Sequence, residues 1–449
     1  MKEHYHFIGI GGIGMSALAK IVASQGSKVT GSDLRTSAIT ETLESAGVEI
    51  FKQHSEKNIL SSSIVIYSTD IKKENPEYQE ALNKKLPLLH RSALLAKVMK
   101  EKKALLVTGT HGKTTTSSLL AHVLKFANLS PSFAVGGIIK GLETNAEGGD
   151  GAYFVAEADE SDGSFLNYSS FGAIITNIDN DHLDHWKTEE ALREGFKKFG
   201  SLVSSKEHLF FCSDDEKLNA LNLGGVSYGF KENSDLVVKN AFQVGWRLIF
   251  DISFDGEDYD EIEIPLIGEH NVLNAAAVFG LALRLNIKEN VIREAFKEFL
   301  GVKRRMEKKG EYQETLIFDD YGHHPTEIAK TLLALKAAMP TRRIVVVFQP
   351  HRYSRTQDCL ESFGSIFDYA DHLVLTDIYG AGEKPIEGIT SEILLKKIQA
   401  KARVSSEYVS RDKLNEHLKA ILKPKDILLS QGAGDITSIA EDLMEVGKI

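Results

Sequence analysis

A Gly-rich turn between a strand and a helix constrains this chain more than any other feature of its sequence. Residues 105–116 read LLVTGTHGKTTT: an apolar strand, a turn with two glycines, then Lys113 at the start of a helix. Backbone N–H groups in such a turn point at a phosphate, and the helix N-terminus adds about half a positive charge. The spacing departs from the standard phosphate loop, because Val107 stands where that pattern has its first glycine. We predict a nucleotide-phosphate site formed by Gly109, Thr110, His111, Gly112, Lys113, Thr114 and Thr115.

Strand and helix patterns alternate along the chain, which is typical of parallel α/β folds. At 449 residues the chain is too long for a single hydrophobic core, and its length predicts about three domains. A first unit ends where lysines cluster near residue 100, a second begins at the phosphate loop, and a third follows the run GVKRR at 301–305. We predict an α/β fold with domains at residues 1–100, 101–300 and 301–449.

Composition and charge exclude several classes of function. The net charge of −10 argues against a nucleic-acid or anionic-membrane surface, although anionic small substrates need only a few local cations. No apolar run approaches the roughly 18–20 residues that span a bilayer, so we expect no membrane insertion. Cys212 and Cys359 are far apart in sequence and predict no disulfide framework. These features favour the cytoplasm, and they do not predict an oligomeric state.

A second Gly-rich turn, GIGGIG at residues 9–14, follows the first predicted strand. It matches the pattern in which backbone approaches a pyrophosphate at a helix N-terminus, and Asp33 follows at the distance where an acid can bond a ribose hydroxyl. NAD and a UDP-sugar both offer a pyrophosphate and a ribose. The turn therefore predicts a nucleotide site without choosing between them.

Acidic residues follow a predicted strand of the second unit, in the sequence EADESD at 157–162. Mg²⁺ prefers oxygen ligands and uses one or two carboxylates, so the acids of this segment are candidate ligands beside the Thr114 hydroxyl. His182 is a further candidate, although histidine is more common on softer metals. We therefore predict a Mg²⁺ site near the phosphate loop.

A helix is predicted to start near Glu269, with apolar residues at helical spacing after it. An asparagine amide near a helix start can pair with an adenine edge through one donor and one acceptor, or it can cap the helix. The candidates for the adenine end of an ATP site are His270, Asn271 and Asn274.

Two polar motifs follow strands of the third unit, DDYGHHP at 319–325 and QPHRYSR at 349–355. Ligands bind at the carboxyl ends of strands in open α/β sheets, and two arginines three residues apart suit a carboxylate or a phosphate. A zinc site at His323 and His324 is disfavoured, because adjacent histidines on a helix do not share a face and no third ligand is evident.

Together these motifs resemble the Mur ligase family, the ATP-dependent amide-bond synthetases of bacterial cell-wall precursor assembly. The resemblance covers essentially the whole chain, and the motif IYGAGE at 378–383 adds to it. It implies an N-terminal Rossmann-like domain for a UDP-sugar, a central P-loop ATPase-type α/β domain, and a C-terminal Rossmann-like domain for the amino acid. It also implies that the Gly-rich turn at residues 9–14 binds UDP and not NAD. Within the family the similarity is to the branch that adds L-alanine to the lactyl carboxylate of UDP-N-acetylmuramate through an acyl phosphate.

The resemblance also implies roles for individual residues. Lys113 would hold the phosphates, and Arg305 and Asp320 would reach ATP from the third domain. Thr114, Glu157 and His182 would bind Mg²⁺, with Glu160 as the alternative to Glu157. The UDP-sugar would be bound by Gly11, Gly12, Ile13, Gly14, Met15, Ser16, Asp33 and His54. Near the amino acid and the muramoyl carboxylate would lie His324, His351, Arg352 and Arg355.

The chain departs from the family pattern at two positions. Phe196 stands where later members carry a carbamylated lysine, and Gln53 precedes His54 where the alanine-adding branch has a glycine. The alternatives are a related ligase that attaches a preformed peptide to the same sugar, an NAD-linked dehydrogenase, and a UDP-sugar sensor without catalysis. Selectivity among L-alanine, glycine and L-serine does not follow from the sequence, since pockets discriminate single methylenes by only about 1–3 kcal/mol.

Overall fold

The computed structural model describes residues 3–61, 63–181 and 183–445, which form three β-sheets flanked by helices. The first sheet is parallel throughout, as the alternation of strand and helix patterns predicts. Its region contains β1 (His4–Ile8), α1 (Ile13–Ser24), β2 (Lys28–Ser32), α2 (Ala38–Ser45), β3 (Glu49–Phe51), β4 (Ser63–Tyr67), α3 (Pro76–Asn83), β5 (Leu88–His90) and α4 (Arg91–Met99). The strand order β3-β2-β1-β4-β5 reverses between β1 and β4, beside the Gly-rich turn that follows β1. Open α/β sheets bind ligands at such a point.

The second sheet has ten strands and carries the phosphate loop. Its region contains β6 (Lys103–Thr108), α5 (Lys113–Phe126), β7 (Ser132–Ile139), β8 (Thr144–Glu147), β9 (Tyr153–Glu157), β10 (Gly172–Ile175), α6 (Leu183–Trp186), α7 (Glu189–Leu202), β11 (Leu209–Cys212), α8 (Glu216–Asn219), β12 (Val226–Gly229), β13 (Leu236–Val244), β14 (Arg247–Phe254), β15 (Glu257–Ile264), α9 (Glu269–Arg284) and α10 (Glu289–Lys297). The strand order is β15-β14-β13-β12-β11-β10-β6-β9-β7-β8. β6 lies between β10 and β9 and is parallel to both, so the phosphate loop leaves the middle of the parallel part. Two-residue turns connect β13 to β14 and β14 to β15, so these three strands are antiparallel.

The third sheet has six strands, parallel except for β16 at its edge. Its region contains β16 (Glu307–Tyr312), β17 (Thr315–Asp320), α11 (Pro325–Ala338), β18 (Ile344–Phe348), α12 (Tyr353–Asp358), β19 (His372–Leu375), α13 (Ser391–Lys401), β20 (Ser405–Tyr408), α14 (Leu414–Ile421), β21 (Ile427–Gln431) and α15 (Ile439–Glu445), in the strand order β16-β17-β21-β18-β19-β20. Pro325 is the first residue of α11, a position that needs no N–H donor. Hydrophobic side chains pack on both faces of β17, β18 and β21. Hydrophobic packing on both faces of the sheet therefore holds the carboxyl ends of these strands in place.

The chain divides into two compact units. One comprises Met1–Asn240, Phe250–Ile264 and Leu273–Leu300, and the other Ala241–Ile249, Pro265–Val272 and Gly301–Ile449. The tip of the β13–β14 hairpin belongs to the second unit, where the Trp246 ring packs edge-on against Phe318 at 4.9 Å. Within the described parts of the chain, no helix combines the length and the apolar character needed to cross a membrane.

Candidate active site

The phosphate loop between β6 and α5 is held against the segment that follows β10. His111 donates its backbone N–H to Asn177 Oδ1 at 2.9 Å, and Asn177 Nδ2 donates to the His111 carbonyl oxygen at 3.0 Å. Asp179 accepts from the His111 ring at 3.0 Å. No side chain of the described residues caps α5, whose N-terminal residue is preceded by Gly112. The loop is thus rigid, and its helix end offers backbone N–H groups to an anion.

Both glycines of the loop have backbone conformations and surroundings that exclude a larger residue. Gly109 has φ +129°, and a Cβ there would lie 2.1 Å from Thr176 Oγ1. Gly112 has φ +85°, and a Cβ there would lie 2.9 Å from Asn274 Oδ1. Asn274, predicted from sequence as an adenine-end residue, therefore lies directly beside the phosphate loop.

The Lys113 ammonium is buried and paired with Glu160. It donates to the two Glu160 carboxylate oxygens at 2.8 and 3.0 Å and to the Gly109 carbonyl oxygen at 2.6 Å. Burial lowers the pKa of Lys113, but the charges of Glu160 and Asp159 outweigh it and raise that pKa above its ordinary value. Glu160, weighed from sequence as an alternative metal ligand, here neutralises and orients the lysine, and only 1% of its side chain is exposed.

Glu157 is the last residue of β9 and the first of the same acidic segment. Its Oε1 accepts from Ser117 Oγ at 3.1 Å and from the Gly136 backbone N–H at 2.6 Å. Thr114, in the first turn of α5, is buried. His182, the third predicted Mg²⁺ ligand, lies outside the residues that the structure describes.

Asp159 connects this segment to the start of α4. Arg91 Nη2 pairs with Asp159 Oδ2 at 3.2 Å, and the Arg91 guanidinium also lies 3.4 Å from where a Cβ of Gly14 would stand. Burial raises the pKa of Asp159, but Lys113 and Arg91 outweigh burial and lower that pKa to about 2. Arg91 is a site residue that the sequence analysis missed, because it stands in no motif.

We expect the stabilising effect of the Asp159 charge to depend on pH with a defined sign. Above about pH 4, the ordinary Asp pKa, the carboxylate is ionised in the folded and unfolded states and the stabilisation is complete. As pH falls from about 4 towards 2, the unfolded state takes up a proton first and the stabilisation is lost. Thermal unfolding midpoints of wild type and Asp159→Asn should therefore differ at pH 7 and converge below pH 4. Asp150→Asn, at an exposed position, is the control. A difference between the midpoints of wild type and Asp159→Asn that does not narrow below pH 4 would contradict a stabilising role of the Asp159 charge.

The N-terminal Gly-rich turn places its predicted residues together at the start of α1. Gly11 donates its N–H to Asp33 Oδ2 at 2.9 Å, and a Cβ at Gly11 would lie 2.8 Å from the same oxygen. Asp33 therefore already braces the turn. Met15 and Ser16 are buried in their own domain, so they offer backbone rather than side-chain groups to a ligand. His54 lies at the carboxyl end of β2, with its Nδ1 2.8 Å from Ser32 Oγ.

In the second compact unit, a cationic cluster follows β18. The His351 ring stacks on Tyr379 at 5.7 Å, and Arg355 Nη1 lies 3.4 Å from His351 Nδ1. Burial lowers the pKa of His351, and the charges of His323, Arg355, Arg352 and Arg304 lower it further, to about 3. The imidazole is therefore neutral among cations. This cluster is suited to bind carboxylates.

The residues predicted to reach ATP from the third domain are held by their own surroundings. Asp320 is buried and accepts from Met306 N, Gly322 N and Gln431 Nε2 at 2.7–2.9 Å. The Arg305 guanidinium lies over the Tyr321 ring at 5.2 Å, and Arg304 lies 4.9 Å from the same ring. Asp320 and Tyr321 thus brace the loop that carries Arg305, a role that no sequence pattern indicated for Tyr321.

His324 and the start of α9 also have local structural partners. His324 caps α11, with its Nδ1 accepting from Thr326 N at 3.4 Å. Asn271 donates from Nδ2 to the Ile267 carbonyl oxygen at 2.8 Å, and Gly268, with φ +88°, leaves room for the His270 ring. His270 and Asn271 belong to the second compact unit and Asn274 to the first.

A buried lysine on a Gly-rich loop at a helix N-terminus, with carboxylates at a neighbouring strand end, defines an α/β domain that binds a nucleoside triphosphate. Three family models match the chain in succession. They describe the Mur ligase family, catalytic domain, at residues 4–103, the Mur ligase middle domain at 107–282, and the Mur ligase, glutamate ligase domain, at 304–434. The chain belongs to the Mur ligase family, and its fold is the three-domain fold of that family.

Relatives match over the full length. The UDP-N-acetylmuramate–L-alanine ligase of Protochlamydia amoebophila is 51% identical over 452 residues, with all of both chains covered. The enzyme of the same name from a Geobacter species is 43% identical, covering 98% of this chain and 97% of its own. The crystal structure of UDP-N-acetylmuramate–alanine ligase from Thermotoga maritima superimposes with a TM-score of 0.86 at 31% identity, over 99% of each chain. A murein peptide ligase from Psychrobacter arcticus, at 23% identity and a TM-score of 0.74, shares the fold.

Proposed function

We propose that the chain is an ATP-dependent ligase that joins L-alanine to the lactyl carboxylate of UDP-N-acetylmuramate in peptidoglycan precursor synthesis, acting in the cytoplasm. The observation that carries the proposal is the 51% identity, end to end, with a UDP-N-acetylmuramate–L-alanine ligase. The rigid phosphate loop and the buried Lys113 add a site that suits ATP. We also propose the domain limits 1–100, 101–300 and 301–449 for the UDP-sugar, ATP and amino-acid domains.

ATP would bind with its phosphates on the loop at 109–115 and its adenine near Asn274, His270 and Asn271. Oxygen ligands of the kind that Mg²⁺ prefers are present in the Thr114 hydroxyl and the Glu157 carboxylate. With His182 they would hold the ion, which neutralises phosphate charge when bound. Lys113, positioned by Glu160, would stabilise the charge that develops between the β- and γ-phosphates.

The reaction would proceed in two steps. A lactyl carboxylate oxygen attacks the γ-phosphorus, ADP leaves, and an acyl phosphate forms. The neutral amine of L-alanine then attacks the acyl carbon, inorganic phosphate leaves, and the amine loses a proton. Positioning and charge neutralisation supply most of the rate enhancement in phosphoryl transfer.

The carboxylates would be bound by the cationic cluster of the third domain. Arg352 and Arg355 present planar guanidinium groups, which bind carboxylates in a bidentate manner. The neutral His351 ring contacts Arg355 and stacks on Tyr379, and His324 would lie nearby. Arg305, braced by Tyr321 and Asp320, would contact ATP. The UDP-sugar would occupy the turn of Gly11, Gly12, Ile13 and Gly14, the start of α1 at Met15 and Ser16, and the surroundings of Asp33 and His54.

An amino-acid panel in a phosphate-release assay tests this function. We expect release to require ATP, Mg²⁺, UDP-N-acetylmuramate and an amino acid together, with L-alanine the best of L-alanine, glycine and L-serine. Release with a preformed tripeptide instead of L-alanine would indicate the peptide-attaching ligase. Binding of NADH that UDP does not displace would indicate a dehydrogenase, and ligand binding without any ADP formation would indicate a sensor.

A further inference from the structure

A buried carboxylate lies beneath the proposed UDP-sugar site and has no part in the proposed reaction. Glu77, in the first turn of α3, is 0% exposed. Its Oε2 lies 2.5 Å from Ser32 Oγ, 3.3 Å from His54 Nδ1 and 3.6 Å from His6 Nε2. Glu77 thus joins β1, β2 and the loop that carries His54.

The other carboxylate oxygen is also fully engaged. Glu77 Oε1 accepts from Asn58 Nδ2 at 2.5 Å and from the Ser55 backbone N–H at 3.4 Å. Burial raises the pKa of Glu77, but the neighbouring His6, Ser32 and Asn58 side chains outweigh burial and lower that pKa. The carboxylate is therefore ionised and accepts every hydrogen bond that it makes.

This fixes the direction of each bond around His54. Two oxygens 2.5 Å apart need a proton between them, so Ser32 Oγ–H donates to Glu77 Oε2. The Ser32 oxygen is then left to accept, and it lies 2.8 Å from His54 Nδ1. Because both neighbours of Nδ1 are acceptors, Nδ1 carries the proton. In the neutral ring, Nε2 is then a bare acceptor.

His54 is connected to the Gly-rich turn through Ser32. The Ser32 carbonyl oxygen accepts from Gly9 N and Ile10 N at 2.8 and 3.0 Å, and the Ser32 side chain is hydrogen-bonded to His54. The His54 side chain is 16% exposed, and its hydrogen bonds to the described residues all run through Nδ1. Nε2 is thus available to a donor on a ligand.

We infer that Glu77 is a positioning residue that fixes His54 in the Nδ1–H tautomer, so that Nε2 accepts a hydrogen bond from an N–H donor of the bound base, the imide N3–H of uracil. Cytosine has no proton at N3 and would present an acceptor to an acceptor. The inference rests on the proposed function, which places a uridine nucleotide at this turn, and it adds the residue that selects the base.

The substitution Glu77→Gln reverses the direction of the hydrogen bonds that join residue 77, Ser32 and His54, and it does not change the shape of the side chain. The Ser55 N–H can only donate, so the oxygen of the introduced amide must face Ser55 and Asn58 and its NH₂ must face Ser32. Ser32 then accepts from the amide and donates to His54 Nδ1, which moves the imidazole proton to Nε2. In the variant, His54 Nε2 therefore carries a proton and faces the N3–H of uracil as a donor instead of an acceptor.

Calorimetric titration of the full-length protein with UDP and with CDP tests the inference. Wild type should prefer UDP, whereas Glu77→Gln should weaken UDP binding roughly tenfold or more and leave CDP binding unchanged or tighter. Glu80→Gln, on the same helix and paired with Lys84 at the surface, should match wild type. ADP affinity, measured on each variant, reports whether the phosphate loop is intact. Equal loss of UDP and CDP binding would overturn the inference.

The tautomer is read directly from two-bond ¹H–¹⁵N spectra, with His54 assigned from His54→Gln. The proton should be on Nδ1 in wild type and in Ser32→Ala, where Glu77 still accepts from the ring, and on Nε2 in Glu77→Gln. Should Glu77→Gln fail to fold, wild type and Ser32→Ala still decide the point. A wild-type proton on Nε2 would overturn the inference while leaving the ligase function, measured by phosphate release, intact. Wild type that binds no UDP would overturn both.

Discussion

Replacing Lys113 with Ala should abolish turnover and also destabilise the first compact unit. Loss of the lysine removes a charge from the transferring phosphate, which costs roughly 10²–10³-fold or more in rate. It also removes the cation that pairs with the buried Glu160 carboxylate, and breaking a buried pair from one side costs about 3–5 kcal/mol. UDP binding, at a different Gly-rich turn, should change little. Phosphate release, urea unfolding and UDP titration measure the three effects.

A second substitution separates the two roles of Lys113. In Lys113→Ala/Glu160→Gln the buried charge is gone, so stability should largely return while activity stays lost. Lys125→Ala, on the same helix and paired with Glu147 at the surface, should change stability by less than about 1 kcal/mol. The destabilisation of Lys113→Ala should shrink as pH falls, because a buried carboxylate that has lost the charge of Lys113 takes up a proton more readily. A double variant no more stable than the single one would show that Glu160 is not the source of the loss.

Replacing Arg352 with Gly should remove activity yet give a more stable protein than Arg352→Ala. Arg352 precedes α12 with φ +68° and ψ +138°, a conformation that costs a non-glycine residue about 1–3 kcal/mol. Its N–H donates to the Tyr379 carbonyl oxygen at 2.8 Å, which holds the backbone there. Both variants lose the guanidinium, but only glycine relieves the strain. We therefore expect the free energy of unfolding of Arg352→Gly to exceed that of Arg352→Ala by at least about 1 kcal/mol.

The same two substitutions at Arg355 provide a control, because there the Gly variant is expected to be less stable than the Ala variant. Arg355 lies within α12, where glycine is about 1 kcal/mol less stable than alanine. Urea unfolding of all four variants should therefore rank Gly above Ala at position 352 and Ala above Gly at position 355. The same ranking at both positions would refute the claim that strain is stored at Arg352.

Much of the fold follows from local sequence patterns. Apolar spacing, glycines and a proline act within a few residues. They fix the strands β1, β6 and β18, the helix starts at Lys113 and Pro325, and the β13–β15 meander. The phosphate loop belongs to this class, since a strand, a turn and a helix in succession suffice to form it. The expected site residues around the Gly-rich turns also lie together for this reason.

Partners that depend on which strand ends become neighbours did not follow from the sequence. The Lys113–Glu160 and Arg91–Asp159 pairs join residues 47 and 68 positions apart. Their existence depends on β6 lying beside β9 and on α4 reaching the acidic segment. Asp320 and Asp33 were expected to meet ligands, and the structure shows that their carboxylates first brace their own loops.

The sequence by itself determined the three-part α/β architecture and the two anion-binding turns, because hydrophobic periodicity and glycine conformations are properties of short segments. Only the tertiary structure decided which buried charges face one another: Glu160 with Lys113, Asp159 with Arg91, and Glu77 with His54 and His6. The physical reason is that the energy of a charge depends on its burial and on its nearest neighbours. Both are set by packing between segments that are distant in the chain.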